Sequence, residues 1–147
     1  LNPRARIVDT RLPITVDDPG LVSGRRVLAV EDGPTLTHGG MPTGAAALAA
    51  QALGATLVDP RPYAQGSLRQ VFEEFPGLGP VLPAMGYGAA QMADLRATID
   101  AVPCEAVLLG TPIDLRRSLR VRHPVARARY RVEEAGAPVL AELLSAL

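Results

Sequence analysis

The sequence has no lysine, so all 15 of its basic residues are arginines. This absence excludes a Walker A phosphate loop, a pyridoxal Schiff base and a lysine general base within the chain. The single cysteine, Cys104, excludes an intrachain disulfide and a paired-cysteine zinc or redox motif. The two histidines are too few for a three-histidine zinc site. One cysteine also fits a reducing, cytoplasmic location.

Tryptophan is absent and aromatic residues make up only 3% of the chain, which argues against a platform for stacking nucleic-acid bases. The basic residues are balanced by 15 acidic ones, so nothing indicates a basic stripe for nucleic acid or a polybasic membrane patch. No apolar run reaches the ~18 residues that a membrane helix needs. We therefore expect neither nucleic acid nor a membrane as a partner.

The apolar content of 48% is enough for a hydrophobic core, and 147 residues suit one domain of ordinary size. The chain starts Leu1-Asn2-Pro3-Arg4, with neither an initiator methionine nor a signal peptide, so we expect a piece of a longer protein or a processed product. Residues 13–24 are rich in proline and glycine and predict a linker, with a domain boundary near residue 22. The expected units are residues 1–21, a terminal strand and linker, and residues 22–147, a separate α/β domain.

Short apolar runs alternate with helix-like segments along the chain. The predicted strands are 4–8, 26–30, 55–58, 81–84, 106–109 and 125–132. The predicted helices are 42–53, 67–75, 89–101 and 139–147. This alternation predicts βαβ crossovers and therefore an α/β fold in three layers, a mostly parallel, Rossmann-like sheet flanked by helices. The last strand alternates arginine with alanine, which predicts a half-exposed edge strand.

Ligands of such sheets bind beyond the carboxyl ends of the strands, so polar segments that follow predicted strands are candidate sites. In the first, residues 31–41, a buried strand leads to a helix start whose free N–H groups favour an anion. Hydroxyls, a histidine and two glycines could contact phosphate there, and an aspartate could hold a metal ion. These candidates are Thr35, Thr37, His38, Gly39 and Gly40 for phosphate or substrate, and Asp32 for both substrate and metal. The alternative is a plain connection whose glycines serve the turn and whose threonines and aspartate cap the helix.

Two further strand ends carry one candidate each. Arg61 stands between two prolines, and its guanidinium could grip a phosphate or carboxylate with two hydrogen bonds. A surface ion pair between Arg61 and Asp59 in a rigid turn is an equally good alternative. Tyr87 lies between two glycines after the next strand and either stacks on a ligand or packs as a turn aromatic.

The fourth strand end, residues 110–117, contains the candidates Thr111, Asp114, Arg116 and Arg117. The aspartate takes the position of the guanine-reading aspartate of GTPases, although the Asn-Lys-x-Asp motif is absent. The two arginines could bind phosphate. The alternative is an aspartate N-cap with solvated arginines. Further arginines between 120 and 131 predict either the solvated side of an edge strand or a surface for a partner domain.

Five of these segments occur together in one order: Ile-Thr-Val-Asp-Asp-Pro (14–19), Val-Glu-Asp-Gly-Pro-Thr-Leu-Thr-His-Gly-Gly-Met (30–41), Val-Asp-Pro-Arg-Pro-Tyr-Ala (58–64), Leu-Pro-Ala-Met-Gly-Tyr-Gly (82–88) and Gly-Thr-Pro-Ile-Asp-Leu-Arg-Arg (110–117). With them the sequence resembles the C-terminal third of the cyclic 2,3-diphosphoglycerate synthetase family, whose members are also described as predicted GTPases. The resemblance covers essentially the whole chain.

The resemblance implies a protein of roughly three times this length, in which a P-loop domain with the Walker A lysine precedes this segment. It implies ATP-dependent closure of a phosphoanhydride in 2,3-diphosphoglycerate, with ATP or GTP and magnesium bound mainly by that P-loop domain. Because the chain lacks the lysine, we expect it to bind a phosphorylated small molecule or nucleotide without catalysing the reaction alone. The alternative is a regulatory or docking module for the P-loop domain. An exposed edge strand could also pair two copies into a homodimer.

Overall fold

The computed structural model describes residues 7–136 and 140–145. The strands are β1 Thr10–Arg11, β2 Ile14–Val16, β3 Arg26–Asp32, β4 Thr56–Leu57, β5 Val81–Ala84, β6 Ala106–Leu109, β7 Val125–Tyr130 and β8 Glu133–Glu134. The α-helices are α1 Gly33–Thr37, α2 Ala45–Ala52, α3 Ser67–Glu74, α4 Ala89–Ala101 and α5 Leu140–Ser145. Short 3-10 helices lie at Pro19–Leu21, Arg61–Tyr63 and Leu115–Arg117.

The chain divides into two compact units, Thr15–Arg129 and Leu1–Ile14 together with Tyr130–Leu147. In the smaller unit, β1 and β8 form an antiparallel ribbon. The larger unit contains the sheet described next. The predicted boundary near residue 22 stays a prediction about the longer protein.

Strand β3 is the centre of the sheet, because its apolar run Val27–Val30 is fully buried on both faces. One side of β3 pairs in parallel with β4 at its start and with β5 along its second half. The other side pairs in parallel with β6, which pairs in parallel with β7. Strand β2 lies beyond β7. The sheet is therefore mostly parallel, and the predicted α/β class with flanking helices is confirmed.

The helices pack through small or regularly spaced apolar side chains. Helix α2 is alanine-rich, and its buried alanines let it approach β3 closely. It ends where Gly54 adopts a φ of +69°, the left-handed conformation that favours glycine after a helix. Helix α4 buries Leu95 and Ile99, which are four residues apart and so share one face. Within residues 7–136 and 140–145, no helix is both long and apolar enough to cross a bilayer.

The prediction of an edge strand over residues 125–132 was wrong, and the predicted linker segment is not wholly irregular. The predicted linker contains β2, because the backbone N–H of Asp17 donates to the carbonyl of Arg127 over 3.1 Å and its carboxylate accepts from the Arg127 N–H over 2.8 Å. These bonds hold the segment beside β7, so β7 is not an edge strand. A three-residue strand directly after Pro13 is too short for apolar alternation to reveal it.

Other differences concern the ends of elements. The segment 31–41, expected to connect a strand to a helix start, contains the end of β3 and the short helix α1. The predicted strand 4–8 lies mostly outside the described residues, and Ile7 and Val8 are not in a strand. The predicted final helix 139–147 is helical over Leu140–Ser145, and its ends lie outside the described residues.

Candidate functional site

The amino-terminal end of α2 is filled by the side chain of Glu31, the next-to-last residue of β3. Its carboxylate accepts hydrogen bonds from the backbone N–H groups of Gly44, Ala46 and Ala47, over 3.2, 3.3 and 2.8 Å. Glu31 is 2% exposed. Burial raises the pKa of this carboxyl above its ordinary value, although the three N–H bonds oppose the rise. The anion expected at this helix start is therefore a residue of the chain itself.

Two glycines make room for the Glu31 carboxylate. A Cβ on Gly44 would lie 2.6 Å from Glu31 Oε2, which is far inside van der Waals contact. A Cβ on Gly110, at the end of β6, would overlap the same oxygen and lie 2.8 Å from the Ala46 nitrogen. Glu31 thus joins the ends of β3 and β6 to the start of α2.

Next to Glu31, Asp32 ends β3 and caps α1. Its Oδ2 accepts a hydrogen bond of 2.6 Å from the Thr35 hydroxyl and one of 3.3 Å from the Thr35 N–H. The Thr37 hydroxyl donates to the Gly33 carbonyl over 3.1 Å and lies 3.2 Å from Nδ1 of the exposed His38. We call Asp32, Thr35, Thr37 and His38 the Asp32 cluster. The predicted contacts Gly39 and Gly40 follow it and are exposed.

Tyr87 lies at the same sheet edge as the Asp32 cluster. Ala84, the last residue of β5, is in register with Asp32, and Gly33 is packed so tightly that a Cβ would lie 2.7 Å from the Ala84 carbonyl. Tyr87 follows three residues later and is 45% exposed. Partial burial raises the pKa of its phenol, and the negative charge of Asp32 adds to the rise. Tyr87 therefore follows the strand end that is in register with Asp32.

Arg61 is held by an acidic partner. Its Nε and one terminal nitrogen lie 2.9 Å from the two Asp59 oxygens, and its backbone N–H donates to Asp59 Oδ1 over 3.0 Å. Partial burial would raise the pKa of Asp59, but the bonds from Arg61 outweigh it and the pKa is lowered. The ion pair that the sequence left open is present. Arg61 lines a different hollow from the one that Thr37 and Gly40 line.

At the end of β6, the Thr111 hydroxyl is buried and donates to the Ile113 carbonyl over 2.7 Å. Asp114 caps the following 3-10 helix, and its oxygens accept bonds of 2.9 and 2.8 Å from the Arg116 guanidinium. Arg116 also donates to Asp17 over 2.7 Å. These contacts match the capping alternative, and a guanine base would have to displace Arg116 from Asp114.

The bonds from Arg116 lower the pKa of Asp114 to about 2 and raise the pKa of the guanidinium itself. Arg127 reinforces the group, with one nitrogen 3.6 Å from Asp114 and another donating to the Pro112 carbonyl over 2.6 Å. Arg117 is exposed and has no ion pair with any residue that the structure describes. Of the three arginines predicted to bind phosphate, Arg117 alone therefore makes no ion pair with a described residue.

A metal site at Asp32 stays a prediction. Over the described ranges, no group of three or more histidine, cysteine, aspartate or glutamate side chains is placed to hold a metal ion. Any metal bound by Asp32 would need ligands from water, substrate or another part of the protein. Cys104 is half-buried, and burial raises the pKa of its thiol, which makes it a poor nucleophile.

The structure places some of the predicted site residues at adjacent strand ends and others at separate hollows. The Asp32 cluster, Tyr87 and Thr111 follow β3, β5 and β6, whose carboxyl ends are adjacent. A hollow of about 400 Å³ is lined by Thr37 and Gly40, and a different one of about 320 Å³ by Arg61. Glu31 was missed by the sequence reasoning, although an acidic residue at the end of an otherwise apolar strand was a visible signal.

Comparison with known proteins gives one strong similarity. The chain is 48% identical over 145 residues to Arginine synthetase ArcE of Thermococcus kodakarensis, which covers 98% of this chain and 32% of that protein. The chain thus spans about a third of the length of this curated relative. No family model and no solved structure matches the chain. The chain is therefore similar to a C-terminal-like part of a larger, synthetase-like protein.

Proposed function

We propose that this chain is the substrate-binding domain of a nucleotide-dependent synthetase, and that it does not complete the reaction alone. The relative is named a synthetase, and the chain has no lysine to serve a phosphate-binding loop. In this proposal a P-loop domain of the same protein binds ATP or GTP with magnesium, as the cyclic 2,3-diphosphoglycerate synthetase resemblance implies. A cytoplasmic location, expected from the single cysteine, belongs to the same proposal.

The observation that carries the proposal is that Asp32 ends β3 and Tyr87 follows the adjacent strand β5, both at the carboxyl edge of the sheet. In open parallel sheets this edge is where ligands bind. The buried side chain of Glu31, the residue before Asp32, accepts a hydrogen bond from the backbone of α2. This bond fixes the strand end that carries Asp32 to the start of α2. A binding group set on such rigid elements keeps its geometry when the ligand arrives.

The chemistry of this edge favours a cationic group. Asp32 uses Oδ2 for its two bonds with Thr35, and Oδ1 has no hydrogen-bond partner among the described residues. A guanidinium presents a planar fork of N–H donors that fits a carboxylate, and it also stacks on aromatic faces. The relative's name specifies arginine, whose side chain ends in this group. We therefore propose that Asp32 and Tyr87 contact the guanidino end of arginine.

A phosphorylated acid, the substrate class implied by the family resemblance, is the second candidate. His38 is exposed beside Thr37, and the exposed Gly39 and Gly40 follow, so donors for a phosphate are present at one end of the Asp32 cluster. Against this candidate, Arg61 and Arg116 are both engaged by carboxylates. The remaining alternative, a docking module for the P-loop domain, would use the arginine face at residues 120–131, of which Arg120 and Arg129 are exposed.

Isothermal titration calorimetry of the chain distinguishes these candidates. We expect heat with L-arginine, at least ten-fold weaker binding for Asp32→Asn, and wild-type affinity for Asp18→Asn. Asp18 is exposed and makes no side-chain capping bond, so it is a matched control. Binding of 2,3-diphosphoglycerate without L-arginine would favour the phosphorylated substrate. No heat from L-arginine, 2,3-diphosphoglycerate or ATP would contradict a substrate-binding role.

A further inference from the structure

A second hollow, lined by other residues than the Asp32 cluster, contains Arg69 and Glu73, which carry opposite charges and form no ion pair with each other. It has a volume of about 320 Å³, is open to solvent, and is lined by Arg61, Pro62, Ala64, Arg69, Phe72 and Glu73. Arg61 and Pro62 follow β4, and the last three of these residues belong to α3. Phe72 is 8% exposed, so its ring gives the hollow an apolar floor.

The guanidinium groups of Arg61 and Arg69 are each held by hydrogen bonds from their Nε atoms. Arg61 donates through Nε and one terminal nitrogen to Asp59, which leaves its other terminal nitrogen without a partner. Arg69 donates through Nε to the Ala64 carbonyl over 2.8 Å, which leaves both of its terminal nitrogens without partners. Holding a long side chain by its Nε removes rotamer freedom before a ligand arrives, which lowers the entropy that binding would otherwise cost.

Arg69 and Glu73 form no ion pairs within the described part of the chain. They are four residues apart on α3, a spacing at which ion pairs commonly form, yet neither makes an ion pair with any described residue. Asp59 already balances Arg61. The hollow therefore offers one uncompensated cation and one uncompensated anion beside an apolar floor.

We propose that this hollow binds the zwitterionic head group of an α-amino acid. The carboxylate would accept from the free terminal nitrogens of Arg69 and Arg61, the ammonium would donate to Glu73, and the side chain would lie on Phe72. Guanidinium pairs bind carboxylates through parallel N–H···O bonds, and charge-assisted bonds of this kind are the stronger ones in proteins. The proposal does not depend on Asp32 or on the identity of the amino-acid side chain.

The test is a titration of the ¹⁵N-labelled chain followed by NMR, with L-alanine, acetate and inorganic phosphate as separate probes. L-Alanine should shift the amide signals of Ala64 and Phe72 and should bind several-fold more tightly than acetate. Arg69→Gln and Glu73→Gln should each weaken L-alanine binding at least five-fold. Arg25→Gln, at an exposed arginine outside the hollow, should bind as the wild type does.

Arg69→Lys checks the geometry, because lysine keeps the charge and loses the planar fork. Its affinity for L-alanine should fall between those of the wild type and Arg69→Gln, and it serves in place of Arg69→Gln if that variant does not fold. If phosphate bound as tightly as L-alanine, the hollow would be a simple anion site and the proposal of a zwitterionic ligand would be overturned. Shifts confined to residues outside the hollow, or no shifts with L-alanine, would overturn the site itself. Neither result would bear on arginine binding at Asp32, which the Asp32→Asn titration tests.

Discussion

Glu31 Oε1 lies 2.8 Å from the backbone nitrogen of Ala47, so a buried carboxylate from the central strand closes the first turn of α2. In many α/β proteins such a helix start receives the anionic part of a ligand. Here the protein supplies the anion, and the neighbouring Asp32 is left at the surface of the same edge. Because Glu31 occupies the N–H groups at the start of α2, these donors are not free for a phosphate. The carboxyl edge of the sheet instead presents the Asp32 carboxylate, a hydrogen-bond acceptor.

The packing around the Glu31 carboxylate is tight enough that one added methyl group should lower the free energy of unfolding. Gly110→Ala places a Cβ against Glu31 Oε2 and the Ala46 nitrogen, and overpacking of this kind costs about 2 kcal/mol. Gly77→Ala is the matched control, because a Cβ there meets nothing within 4 Å, and it should change stability by less than about 0.5 kcal/mol. Urea unfolding measures both. Equal effects of the two substitutions would mean that Gly110 is not tightly packed.

Glu31 should give the unfolding free energy a distinct pH dependence. Because burial raises its pKa in the folded protein above 4.5, the folded state binds this proton more tightly than the unfolded chain does. The contribution of Glu31 to stability is then fully present below pH 4.5 and is lost as the pH rises through the raised folded value. Glutamine releases no proton, so Glu31→Gln should remove this decline.

The measurement is urea unfolding of the wild type and Glu31→Gln at a series of pH values from 4.5 upwards. Glu74→Gln, at an exposed glutamate, should keep the wild-type slope. If Glu31→Gln and the wild type lose stability in parallel, the raised pKa is wrong.

Asp114 should act in the opposite pH direction. The bonds from Arg116 lower its pKa from 3.8 to about 2, so its contribution is present above pH 3.8 and is lost as the pH falls towards 2. Because the group is partly exposed, we expect Asp114→Asn to cost only about 1 kcal/mol at neutral pH and less at high salt. Urea unfolding at neutral and acidic pH checks this. An Asp18→Asn control with the same loss would show that the effect is not specific to Asp114.

The elements with strong local signals were predictable from the sequence. The apolar run of β6 and the spacing of apolar residues in α4 predicted the observed bounds of both elements. Both elements are stabilised by burial of those same apolar residues, which the sequence shows directly. Strand β2 and helix α1 could not be found in this way. Each is short, and each is fixed by a side-chain bond at its end: the Asp17 carboxylate after β2 accepts from the Arg127 N–H, and the Asp32 carboxylate before α1 accepts from the Thr35 hydroxyl.

The adjacency of three candidate segments was predictable from the sequence, and their role as a site stays a prediction. The rule for carboxyl ends of strands led to the segments that contain Asp32, Tyr87 and Thr111, and these strand ends are adjacent. What the sequence could not show is which charges are already satisfied. Arg61 and Arg116 looked like phosphate ligands, but both are engaged by acidic side chains.

Tyr87 should contribute to arginine binding through its ring. A guanidinium stacked on an exposed aromatic face gains about 0.5 to 1 kcal/mol, so Tyr87→Ala should weaken L-arginine binding several-fold. Tyr87→Phe keeps the ring and should bind nearly as the wild type does. Calorimetry with L-arginine measures both variants. Loss of affinity in Tyr87→Phe equal to that in Tyr87→Ala would assign the contribution to the hydroxyl.

The most direct test of the account is an NMR map of where L-arginine contacts the ¹⁵N-labelled chain. The account predicts that amide signals of residues 32–38 and 85–88 shift together with one dissociation constant, and that Asp32→Asn abolishes these shifts. Saturable shifts located only elsewhere on the chain, or shifts at this edge that persist in Asp32→Asn, would contradict it.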